Sequence, residues 1–235
     1  MSRARLFELI RPSLQALKCH WPQLLLFQFM LLLLVIGYYG NPTIHQWCEV
    51  ISAIKLRWGL LFVALTTPIA GLLLPELIKR MLRSRNLIAL REFPSTMLFF
   101  AFFGICIDFE YRIFGLIFGQ TPTPTVALSK MAMDQFVLTP IYNIPFFLVM
   151  FAWRQNNYQF APTMAMLSRQ WYMRSVLPLL IPCWCYWIPM TLMIYSMPAS
   201  LQFSVYVLAM AAWSLILLFI ARPQEPAPAR EVCPS

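Results

Sequence analysis

The chain predicts an all-α fold, a polytopic transmembrane bundle of about six spans, and three observations predict it. Of its 235 residues 60% are hydrophobic and only 11% charged, with a mean hydropathy of +0.66, whereas soluble domains run near ~45–50% apolar and ~25% charged. The apolar residues gather in six stretches, each close to the ~20 residues that cross a ~30 Å hydrocarbon core. Lysine and arginine alternate between the connections in the manner of the positive-inside rule.

The stretches are 22–39, 57–78, 97–119, 133–153, 175–196 and 201–221. The first is dominated by Leu24 to Leu34 and ends without a small-residue cleavage site, so a retained helix is expected rather than a removed signal peptide. An organellar transit sequence stays open. Between the fourth and fifth stretches, 154–174 mixes Tyr158, Phe160, Met164, Trp171 and Tyr172 with Gln, Asn and Arg. Too polar to cross, it reads as an amphipathic interfacial segment with Trp171 and Tyr172 at headgroup level. The Pro-, Ala- and Glu-rich end, 223–235, reads as a disordered tail. Residues 1–235 thus form a single membrane domain.

With all six spans in place, fourteen of the eighteen Lys and Arg residues fall on one side. These lie before the first span (Arg3 to Lys18), after the second (Lys79 to Arg91), after the fourth (Arg154, Arg169, Arg174) and in the tail. Lys55, Arg57 and Lys130 fall on the other side, and Arg112 lies within a span. Both termini are therefore expected on the cytoplasmic side, or its organellar equivalent. The same distribution accounts for the net charge of +9 without nucleic acid. The partner it implies is the lipid bilayer, in a bacterial inner membrane or, in a eukaryote, a mitochondrial inner or peroxisomal membrane; a homo-oligomer is open.

The third span carries the informative charges: Asp108 midway, Glu110, and Arg112. Three ionisable groups near a span's centre cost about 8–10 kcal/mol, and the thirteen Leu, Ile and Phe residues of 97–119 return only roughly 4–8. Such groups must be paired and face inward. Asp108 and Arg112 are spaced i, i+4 with the acid first, the favourable order, while Glu110 is left to a proton or to another span. Gly115 and Gly119 form a small-residue step that permits close helix contact. A second polar group, Lys130, Asp134 and Gln135, opens the fourth span ahead of Pro140, with Lys130 and Asp134 one turn apart. Read without a site, it is a snorkelling lysine and a first-turn acid against the helix dipole.

Proline is common, 19 in all, with Pro68 and Pro75, Pro140 and Pro145, and Pro178, Pro182 and Pro189 inside spans. Each removes a backbone donor. The carbonyl it leaves needs a partner that lipid cannot supply, so kinks must pack on other helices or on water.

The residues assign no catalytic, cofactor-binding or metal-binding role. The two histidines, His20 and His45, flank the first span, and the seven glycines form no phosphate loop. Cys183 and Cys185 fall on opposite faces of a helix, without a zinc spacing. The six cysteines are scattered and read as small hydrophobes, not as a disulfide framework. An intramembrane enzyme built on Asp108, Glu110 and Asp134 lacks a nucleophile pair and a metal.

At these residues the chain resembles the Mpv-type family of the twenty-two-kilodalton peroxisomal membrane protein, over roughly 57–221. Lys130, Asp134, Gln135 and Pro140 match its Lys-x3-Asp-Gln-x4-Pro block; Arg91, Gly104 and Tyr111 match its Arg, Gly and Tyr; Trp187, Pro189, Pro198 and Trp213 match its C-terminal Trp-Pro, Pro and Trp. The chain departs from the family's Gly-Pro-x2-His-x-Trp-Tyr, with Ile105, Asp108 and Glu110 in place of Pro, His and Trp. Gln202, Glu76 and Leu72 stand where the family carries Arg, Gln and Asp. The resemblance implies a divergent, non-enzymatic member that is channel-like or acts in membrane homeostasis, without a cofactor. The alternative is a structural or assembly protein with no permeation path.

Overall fold

A computed structural model describes residues 3–83 and 87–220; Arg85, Arg222, Arg230, Cys233 and the tail 223–235 lie outside the described residues. Those residues are all-helical, without a strand among them. In chain order the helices are α1 (Arg3–Gly40), α2 (Pro42–Trp58), α3 (Leu60–Met81), α4 (Phe93–Phe118), α5 (Pro124–Gln155), α6 (Phe160–Met166), α7 (Arg169–Tyr195) and α8 (Ala199–Ile220).

Five helical stretches are long and apolar enough to cross a bilayer: Trp21–Gly40, Leu60–Met81, Pro124–Gln155, Arg169–Tyr195 and Ala199–Leu217. They match five of the six expected spans to within a few residues, except that α5 starts nine residues earlier than expected and α7 six. The remaining one, α4, is a helix of 26 residues, about 39 Å long. It stands apart from the five and carries Asp108, Glu110 and Arg112 along its length. The exterior is as apolar as the interior: on α1, Leu25, Leu26, Phe29, Leu33 and Ile36 are each more than half exposed. A continuous apolar face of this kind calls for lipid around it, as in a multi-pass membrane protein.

Helix α8 is the centre of the packing, with 56% of its apolar window buried. Phe203, Ala209 and Ile216 are shut off from the surface there and share one apolar core with Tyr186, Met190 and Ile194 of α7. Helices α3 and α4 pack along each other. They come close at Gly104 against Thr67 and at Gly71 against Phe100, where an added methyl group would overlap the opposing side chain. The expected close contact at Gly115 and Gly119 is not formed: a methyl group at Gly115 would meet only Gln120 of its own chain segment, and at Gly119 nothing. Gly104 is the small residue that lets two helices meet, because it faces α3 while Gly115 does not.

Helix α2 corrects the expectation that 40–56 is a connection. Its start follows from Asn41, whose side chain accepts from the backbone N–H groups of Thr43 and Ile44, with Pro42 in the first turn. It stops at Gly59, which adopts φ +51° and ψ −125°, a backbone conformation suited to glycine. Cys48 and Ser52 face inward, whereas Trp47, Ile51, Ile54 and Trp58 form an exposed apolar stripe at helical spacing. The segment 154–174, expected as one interfacial stretch, divides among three helices. Helix α5 ends at Gln155, α6 is a short surface helix, and Arg169, Trp171 and Tyr172 already belong to α7.

The prolines explain both the irregular turns and several interhelical bonds. Asp134–Asn143 is a π-helical stretch in which the Ile144 N–H bonds the Thr139 carbonyl, five residues back. In that register Pro140 and Pro145 leave the carbonyls of Gln135 and Pro140 without a donor. The Trp184 indole N–H donates to the first at 2.8 Å, and the Tyr172 hydroxyl to the second at 3.0 Å. In regular α-helical register Pro189 leaves the Cys185 carbonyl open, and Gln28 of α1 donates to it at 2.8 Å. Side chains of neighbouring helices thus take up what the prolines release, as a lipid environment requires.

Candidate functional site

The six residues singled out in the sequence fall into two clusters; the interior holds them except Arg112, which was expected to face inward and lies 56% exposed. The first is built on Asp108, which is fully buried. Arg112, one turn along α4, donates from Nε to Asp108 Oδ2 at 2.8 Å and places Nη2 at the same distance. Lys55 of α2 sets its Nζ 2.9 Å from Oδ1, an ionic contact without hydrogen-bond alignment, so that oxygen accepts no hydrogen bond. The Lys55 side chain is 13% exposed and lies over the Phe203 ring, while Arg112 is 56% exposed beside the Phe109 ring. The i, i+4 pair expected on α4 is therefore present, and it is one half of a three-residue clamp that joins α2 to α4.

Lys55 was assigned to a loop by sequence, and its role comes from tertiary packing. A local signal was nonetheless there: Asn41, Pro42 and Gly59 bracket a helix, and Cys48, Ser52 and Lys55 share one face of it.

The second cluster lies between α4, the π-helical stretch of α5, α7 and α8. Asp134 is buried; its Oδ2 accepts from the Tyr195 hydroxyl at 2.8 Å and its Oδ1 from the Gln135 amide at 3.2 Å. Glu110 faces Asp134 and Asn143 from α4. The rings of Tyr195 and Tyr206 close around Tyr111, with centroids 5.4 and 5.9 Å away. Lys130 is buried to 1% exposure rather than snorkelling. It does not pair with Asp134: its Nζ lies 6.0 Å from the Tyr195 ring centroid, and among the described residues no carboxylate is within 4.0 Å of it. The hydroxyl of Tyr195, rather than the ammonium one turn back, is what holds the Asp134 carboxylate.

Several oxygens in this interior have no donor: Glu110 Oε1, Gln135 Oε1 and Asn143 Oδ1, besides Asp108 Oδ1 and Ser204 Oγ. A buried polar atom without a partner costs about 1–3 kcal/mol. Three such acceptors in one cluster leave a polar demand that the neighbouring side chains do not meet. Among the described residues, His, Cys, Asp and Glu form no group of three or more able to hold a metal ion. Asn143, Tyr111, Tyr195 and Tyr206 were not singled out from sequence. In an apolar run a tyrosine reads as core, and only its hydroxyl, which needs a partner when buried, hints otherwise.

Compared with known proteins, the chain matches no family model, no curated protein and no solved structure.

Proposed function

We propose that this chain is a non-enzymatic, channel-like membrane protein, a divergent relative of the Mpv-type family, that passes small solutes or ions through its bundle. The observation that carries the reading is the row of donor-less buried oxygens on Glu110, Gln135 and Asn143. In hydrocarbon surroundings intramembrane ionisable residues mark water-filled paths and substrate sites. The π-helical turn at Asp134–Asn143 supports it further, since irregular helix at membrane depth is tolerated where it lines a cavity or is buried in protein. In this reading both termini and the arginine-rich connections face the cytoplasm, α4 serves as the sixth span, and the surrounding partner is lipid.

The test is solute and ion flux in liposomes carrying the purified protein. Flux above that of empty liposomes is expected, with Asp134→Leu lowering it by about tenfold or more, because it strips Tyr195 and Gln135 of their shared acceptor inside the path. Liposomes that stay tight around folded protein contradict the proposal.

A structural or assembly role is the second reading, favoured by the Asp108 clamp. A carboxylate with no exposure, held by two cations from two helices, is an interhelical tie rather than a path.

A further inference from the structure

Three features of the second cluster point the same way. Its donor-less atoms, Glu110 Oε1, Gln135 Oε1 and Asn143 Oδ1, are all acceptor oxygens. Gln135 is 2% exposed, and its amide nitrogen is spent on Asp134 Oδ1 at 3.2 Å. Its carbonyl oxygen, bonded to the same carbon as that nitrogen, is therefore held at the Asp134 carboxylate with nothing to accept from. Glu110 and Asp134 oppose one ammonium, Lys130, which sits across the Tyr195 ring and pairs with neither.

We propose that this cluster binds one monovalent metal cation, coordinated by the carboxylates of Glu110 and Asp134 and the amide oxygens of Gln135 and Asn143. Oxygen dipoles of this kind replace the hydration shell of an alkali ion at membrane depth. The proposal deepens the channel reading by naming the solute class, and it rests on that reading only for transport, not for binding.

The Trp184 indole bonds the Gln135 backbone carbonyl, so a variant that keeps Trp184 and replaces the other seven tryptophans with phenylalanine reports on the site. Purified protein in detergent is titrated with sodium chloride and with potassium chloride against N-methylglucamine chloride, at fixed ionic strength and pH. A saturable fluorescence change and a rise in Tm with at least one alkali ion, absent with N-methylglucamine, are expected. Glu110→Gln, close in size, should weaken the apparent affinity by about tenfold or more, whereas Asp108→Asn, whose charge partners are Lys55 and Arg112, should leave it within about twofold.

Equal responses to all three salts overturn the proposal without any variant being needed. So does a response that, when the titrations are repeated across pH, follows pH and ignores the cation, which would make a proton the ligand. Saturable binding in a protein whose liposomes stay tight keeps the site and removes the pore. Flux with no cation preference and no saturable binding does the reverse.

Discussion

Replacing Asp108 with asparagine is expected to lower folding free energy by about 3 kcal/mol, near the lower end of the ~3–5 kcal/mol lost on breaking a buried ion pair. The loss comes from the cations left behind. Lys55, only 13% exposed, cannot reach water where it sits, whereas Arg112, at 56% and six residues from the end of α4, can snorkel toward the interface. The two partners should therefore couple unequally to Asp108. In double-mutant cycles the Lys55→Met cycle should give an interaction energy of about 1–3 kcal/mol. The Arg112→Met cycle should give less, about 0.5–1 kcal/mol. Reversible unfolding in mixed micelles measures both. Coupling to Lys55 within a few tenths of a kcal/mol of zero would remove α2 from the clamp.

Gln28→Leu is expected to cost about 1–3 kcal/mol, because it orphans the Cys185 carbonyl that Pro189 leaves open. A compensating change makes this prediction specific. Pro189→Ala restores a backbone N–H four residues after Cys185, so in the Gln28→Leu background it should recover most of the loss. In the wild-type background the carbonyl already has a donor, and the same change should gain much less. Equal effects of Pro189→Ala in the two backgrounds, measured by the same unfolding assay, would separate Gln28 from the proline.

Most of the fold was legible because a span announces itself by the length of its apolar run, which needs no tertiary information. The first stretch, expected at 22–39, is found at Trp21–Gly40, and the last, expected at 201–221, at Ala199–Leu217. Helix α2 was missed because hydropathy averages away a segment with polar and apolar faces; its caps at Asn41 and Gly59 carried the signal instead. The Asp108–Arg112 pair was visible because it lies within one turn of one helix. Lys55 lies 53 residues from its partner, so only packing reveals it.

Spacing misled at Lys130 and Asp134, one turn apart yet unpaired. Sequence spacing places two side chains near each other but does not say which third group competes for them. Here the competitor is Tyr195, whose hydroxyl takes the carboxylate and whose ring lies beneath the ammonium. Pro140 and Pro145 were readable as lost donors, but Trp184 and Tyr172, which replace those donors, come from another helix.

The account turns on whether water reaches the cluster around Glu110. Single cysteines along 104–116, in a chain whose native cysteines are replaced, can be probed with a membrane-impermeant thiol reagent after reconstitution. Glu110→Cys should react, while Ile113→Cys and Leu116→Cys, on the outer face of α4 at 48% and 81% exposure, should be shielded by lipid. An unreactive Glu110→Cys in folded, reconstituted protein would contradict a wet interior and leave a sealed helical bundle in its place.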